Sequence, residues 1–141
     1  MNSCVSKAFL EQISSKSITT TFSRMIHAIL DSSAIYVAVE SKSELCVLFT
    51  PDNGNHYGLL ISFSIMDGQL QASVSPKSIY ETMCAGGCFP FDADDFIQGA
   101  SGIAELKPAQ SSFWISEDDL IGNVGMLVNS TQQLAQIITS Y

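Results

Sequence analysis

Residues 83–96 read MCAGGCFPFDADDF, a run in which two cysteines and three aspartates sit close together. Cys84 and Cys88 have three residues between them. Thioredoxin-like redox pairs and zinc knuckles usually space their cysteines by two. A structural zinc site needs about four ligands. The remaining candidates, Cys4, Cys46, His27 and His56, contain no second half-site spacing. The expectation is therefore no metal and no cofactor, with the thiols filling small gaps beside a glycine-built loop. Asp92, Asp94 and Asp95 do not make a calcium loop either. Such a loop needs more oxygen ligands at fixed spacing and a glycine at its sharp turn, whereas Phe96-Ile97 follows Asp95. They read as the acidic start of a short helix, or as an acidic patch for a protein partner.

Nucleophilic catalysis would place a Ser, Cys or Thr beside a general base, usually His. The chain has two histidines and many serines but no Gly-x-Ser-x-Gly elbow and no Gly-x-x-x-x-Gly-Lys phosphate loop. An enzyme is not expected.

Charge placement is more informative. The net charge is −8. Residues 1–80 hold six acids and five bases, whereas residues 81–119 hold eight acids against Lys107 alone. Residues 120–141 carry no charged side chain. Nucleic acid and anionic membranes are disfavoured partners, because no cation cluster offsets their phosphates. A focused negative field instead steers a basic protein. Phe91, Phe96 and Trp114 lie in this acidic segment, and aromatic anchors inside a charged rim suit protein recognition. The candidate partner-binding set is Glu81, Phe91, Asp92, Asp94, Asp95, Phe96 and Trp114.

These residues need a scaffold. At 141 residues, with 46% hydrophobic and 14% charged positions, the chain reads as a single domain over 1–141 with an ordinary core. Val5, Ala8, Phe9 and Ile13 predict a short first helix. Phe22, Met25, Ile26, Ile29 and Leu30 predict a second, capped by Thr20 or Thr21 and ending near Asp31-Ser32-Ser33. The period then shortens. AIYVAVE (34–40), LCVLFT (45–50), YGLLISFSIM (57–66) and QLQASVS (69–75) read as strands. Asp67-Gly68 marks a type I′ hairpin between the last two. Pro76 fits the first turn of a short helix over 77–83. A short helix near Asp94–Gln98 and a fifth strand over 111–115 are weaker signals.

Ser116, with Glu117, Asp118 and Asp119 behind it, caps and charges a helix start. The stripe from Leu120 to Ile138 then predicts one long helix over about 117–139. Gly122 and Gly125 weaken it by roughly 1 kcal/mol each and are expected to let another element pack closely. The fold class is α+β: an antiparallel sheet of about four to five strands, N-terminal helices, and a long C-terminal helix packed on the sheet.

In size, acidity and α/β make-up along its whole length, the chain resembles bacterial immunity proteins. Among these are the partners of contact-dependent growth-inhibition toxins and other polymorphic toxins. The likeness is one of overall character and transfers no residue roles. It implies tight binding of one cognate toxin, often a basic nuclease, with the acidic patch mimicking phosphates. The same features resemble acidic secretion chaperones, which wrap an extended effector segment and are usually dimers. A small-molecule sensor domain with a pocket between sheet and helix is a third reading. Lys7 and Glu11 interrupt the apolar residues near the start, and no run approaches the roughly 18–20 apolar residues of a membrane span. A cytoplasmic protein with reduced thiols, monomeric when free, is the expectation.

Overall fold

The computed structural model describes residues 6–52, 54–87, 94–104 and 113–140. The element order is α1 (Lys7–Leu10), α2 (Lys16–Ser32), β1 (Tyr36–Glu40), β2 (Glu44–Phe49), β3 (Gly58–Met66), β4 (Gln69–Val74), α3 (Pro76–Ala85), α4 (Asp94–Ala104), β5 (Phe113–Ile115), α5 (Glu117–Gly122) and α6 (Val124–Thr139). The strands form one antiparallel sheet in the order β1-β2-β3-β4-β5, so each pairs with its neighbour in sequence. The expected α+β meander, with the C-terminal helix packed on it, is the observed fold.

Alternation sets the layers. Leu45, Val47 and Phe49 of β2 are buried, as are Leu70, Ala72 and Val74 of β4. Their partners across the ladders, Tyr36, Ile61, Phe63 and Ile115, are buried on the same face. The helices cover this side. Phe22, Met25, Ile26 and Ile29 of α2 join Leu127, Leu134, Ala135 and Ile138 of α6 in one core with the inner strand residues. An aromatic trio ties three elements together. Phe22 stacks on Phe9 at 5.9 Å and meets Phe63 edge-on at 5.0 Å. Register shifts between Val47 and Leu48, where Leu60 is the extra residue on β3. Such a bulge bends and twists its strand locally. The Asp67-Gly68 turn has φ of 55° and 78°, as a type I′ turn requires. It is clipped to the α1–α2 linker by Ser14 N–H donating to Gly68 O at 2.9 Å.

Three expectations need correction. Helix α2 begins a turn earlier than expected, at Lys16, with Ser15 as N-cap accepting from Ile18 N–H. Thr19, Thr20 and Thr21 are inside it, each hydroxyl donating to the carbonyl four residues back. The C-terminal helix is not continuous. It breaks at Asn123, whose φ of −125° and ψ of 26° lie outside helical values. Gly122 and Gly125 flank this break, and among the described residues nothing lies within 4 Å of a Cβ built on either, so no described element packs closely there. Close approach occurs instead at Gly99 of α4, where a Cβ would stand 2.8 Å from Ser130 Oγ of α6.

Buried Tyr36 closes the layer at the sheet edge. Its hydroxyl donates to Thr131 O of α6 at 2.6 Å, and burial pushes the phenol well above its ordinary value.

Candidate functional site

The acidic segment is partly employed in holding the fold. Asp94 opens α4 and accepts a hydrogen bond from the Tyr80 hydroxyl of α3. That bond, then burial, then the carboxylate charge, push the Tyr80 phenol up to about 12. Glu117 accepts from Leu70 N–H at 2.7 Å, which stitches α5 to the start of β4. Asp119 accepts from the Ser116 hydroxyl, and Ser116 Oγ caps α5 by accepting from Asp119 N–H. Glu81 is exposed on α3, 3.9 Å from Lys77 one turn earlier. A pair exposed at both ends contributes little to stability.

Phe96 is a correction. It is 1% exposed and belongs to the core, so it is not a surface anchor. The signal was present in Phe96 and Ala100, an i, i+4 pair that turns one side of α4 inward. Trp114, by contrast, is 58% exposed on β5. Phe91 and Asp92 lie outside the described residues, as does the side chain of Asp95. The structure therefore brings Asp94 and Glu81 onto neighbouring helices and sets Trp114 apart from them on the sheet.

Tyr80 and Asp94 give a pH prediction. The folded phenol holds its proton more tightly than the unfolded one, whose ordinary value is 10.0. Its stabilising contribution is complete below pH 10 and is lost as the pH rises through about 12. In urea unfolding at stepped pH, Tyr80→Phe should lose stability less steeply than the wild type over this window. Parallel slopes would show that the pair has no such role.

One cysteine departs from expectation. Cys84 is exposed on α3 rather than filling a gap, and Cys88 lies outside the described residues. Cys46, half-buried on β2, has its thiol pushed up by burial; Ser62 opposes this and Glu44 adds to it. A raised thiol is a poor nucleophile at neutral pH. Among the described residues, no three His, Cys, Asp or Glu side chains group closely enough to hold a metal ion. His56 pairs with Asp52 through its ring Nδ1 and donates its backbone N–H to the same carboxylate at 2.8 Å. Desolvation raises the Asp52 carboxyl, but the His56 hydrogen bonds and charge outweigh it and hold the value below the ordinary one. Thr50 Oγ1 accepts from Gly54 N–H at 2.6 Å in the same turn. Acid, imidazole and hydroxyl here bind turn atoms.

The surface that sequence reasoning missed is the far side of the sheet. Pairing register places Val39, Cys46, Ser62, Ser73 and Trp114 in one row across all five strands. Beside it, Val37, Leu48 and Leu59 form a second row. None of these eight residues is buried, and Val39 is 51% exposed. An antiparallel sheet with one solvated face normally turns polar residues outward. Strand β4 does so with Gln69, Gln71 and Ser73, whereas β1 turns out Val37 and Val39, the end of β2 Leu48 and the start of β3 Leu59. The signal in the sequence was the apolar character of both alternating sets at Val37–Val39, Val47–Phe49 and Leu59–Ile61.

Comparison with protein-family models, with curated proteins and with solved structures finds no match. No helix among the described residues is long and apolar enough to cross a membrane.

Proposed function

We propose that this chain is a protein-binding domain without catalytic chemistry, and that its partner docks on the open face of the sheet. The carrying observation is the pair of cross-strand rows, the first of which ends in Trp114. An exposed apolar patch on an otherwise well-buried domain marks an interaction surface, and tryptophan is enriched among residues that dominate binding energy. Among the described residues of that face, Glu44 is the charged one, and the whole chain carries −8. The complementary partner has an apolar contact surface ringed by bases. That chemistry fits an immunity protein that neutralises a basic, nuclease-type toxin domain.

A second reading has its own support. β1 is an edge strand beside the apolar half of the face, and an extended peptide can add to such an edge while its side chains dock alongside. This is the way a secretion chaperone would hold an effector segment.

Co-expression with the products of adjacent genes separates the readings. An immunity protein restores growth to cells making the toxin domain. A chaperone keeps its effector soluble without neutralising it. In either case Trp114, the single tryptophan of the chain, reports the contact. Its emission should shift to the blue on binding, and Trp114→Ala should weaken the complex by at least about tenfold, the effect of losing one central aromatic. An unchanged spectrum and unchanged affinity would remove the open face from the proposal. Neutralising Asp92, Asp94 and Asp95 as asparagines would then test the acidic segment through its association rate at low salt.

A further inference from the structure

A second concave site adjoins the open face at Val37. At one corner of the sheet, where β1 begins and β2 ends, lies a cleft of about 660 Å³. That is within the size range of small-ligand sites, roughly 300–1,000 Å³. Ile35 and Pro51 give it apolar walls. Asp52 supplies a carboxylate, its side chain 23% exposed. Tyr57 also lines it, 58% exposed, with its hydroxyl beside the Gly54 turn.

Two helices end here. Gly86, the C-cap of α3, and Thr139, the last residue of α6, both line the cleft. A helix C-terminus carries partial negative charge and favours cations. Neither last turn holds a Lys, Arg or His that would offset it. Among the described residues that line the cleft, none is basic. His56 occupies one acceptor position on each Asp52 oxygen, and an ionised carboxylate has about four such positions. A carboxylate, two helix C-termini and an exposed phenol ring converge on an apolar-walled space. Each of them attracts positive charge, the ring through its π face.

From this geometry we infer that the cleft binds an organic cation, an ammonium or guanidinium group on a short apolar stem. The stem packs on Ile35 and Pro51, and the charged head sits between Asp52 and Tyr57. The cation can come from a free amine or from a Lys or Arg side chain of a protein. The inference does not rest on the partner-binding reading of the open face, and its test uses no protein partner.

The test is an NMR titration of the isotope-labelled full chain with n-butylammonium, n-butylguanidinium and, as the neutral control, 1-butanol. Either cation should shift the amides of Gly54, Tyr57 and Gly86 saturably, and butanol should not. Asp52→Asn should weaken binding about tenfold or more, as expected for a lost charge-assisted contact. Because that variant also alters the turn, Thr139→Lys provides a second check. It sets a tethered ammonium at the exposed end of α6, keeps Asp52 intact, and should exclude both cations. A blocked Gly-Arg-Gly peptide separates the sources. Binding at least as tight as butylguanidinium assigns the site to a protein side chain; failure of the peptide where the free cations succeed assigns it to a small amine. The inference is overturned if butanol matches the cations, if neither cation shifts these amides, or if Thr139→Lys leaves saturation unchanged.

Discussion

Gly58→Ala should destabilise the protein by about 3 kcal/mol or more, at the upper end of what overpacking a core costs. A Cβ at Gly58 would stand 2.1 Å from Thr82 Oγ1, 2.5 Å from its Cβ and 2.6 Å from its Cγ2. Thr82 has little room to give way. It is β-branched, so its χ1 is restricted, and it is buried on α3 between the fully buried Ile79 and Met83. The missing side chain at Gly58 is what lets α3 lie directly on the start of β3. Thr82→Gly should therefore rescue the variant. On its own it weakens α3 by up to about 1 kcal/mol, yet in combination it should make Gly58→Ala more stable. Urea unfolding of the four proteins gives the coupling as a double-mutant cycle. Additive losses would show that the two positions do not meet.

Phe22→Ala should cost about 3–5 kcal/mol, the range for removing a buried phenylalanine. Phe22 is fully buried and is the member of the aromatic trio that touches both others. Its loss opens a cavity where α1, α2 and β3 converge. Typical domains hold only about 5–15 kcal/mol in total, so the variant should unfold at a much lower urea concentration, and α1 should exchange its amide protons faster. Phe22→Leu should recover most of the loss by refilling the space. A loss below about 1.5 kcal/mol for Phe22→Ala would mean that the trio is not packed as described.

The meander was legible because each of its strands carries a local signal. Alternation in QLQASVS sets the faces of β4, and Asp67-Gly68 fixes the turn that sets its register with β3. The helix boundaries were less legible, for physical reasons. The run from Ser14 to Thr21 is rich in residues of modest helix propensity and reads as a break, but the threonine hydroxyls return to carbonyls within α2 and the chain stays helical. The apolar stripe from Leu120 to Ile138 continues through Asn123, so periodicity alone does not reveal the break between α5 and α6. Contacts between distant residues, such as Gly58 with Thr82 and Gly99 with Ser130, leave no trace in local pattern.

The candidate site was half legible. Trp114 was singled out and is exposed, but the expectation grouped it with acidic neighbours in sequence rather than with Val39 and Cys46 across the sheet. Phe96 was assigned to the same surface because Asp94 and Asp95 precede it. Helical geometry separates them, with Phe96 in the core and Asp94 held by Tyr80. Which face of a sheet is left uncovered depends on how the connections run, and single-sequence alternation does not carry that.

The strand order also sets the course of folding. β1 to β4 are joined by short turns, so their three pairings close small loops and lose little chain entropy. β5 must cross α3 and α4 before it reaches β4, and among the described residues it then pairs at three positions, Ala72 with Ile115, Ser73 with Trp114 and Val74 with Phe113. Contacts that close long loops form late. The four-stranded hairpin stack with α2 is the natural nucleus, and β5 with α5 and α6 condenses onto it afterwards. Until then the outer edge of β4 stands unpaired, which makes the interval before β5 arrives the stage at which two nascent chains are most exposed to joining strand to strand.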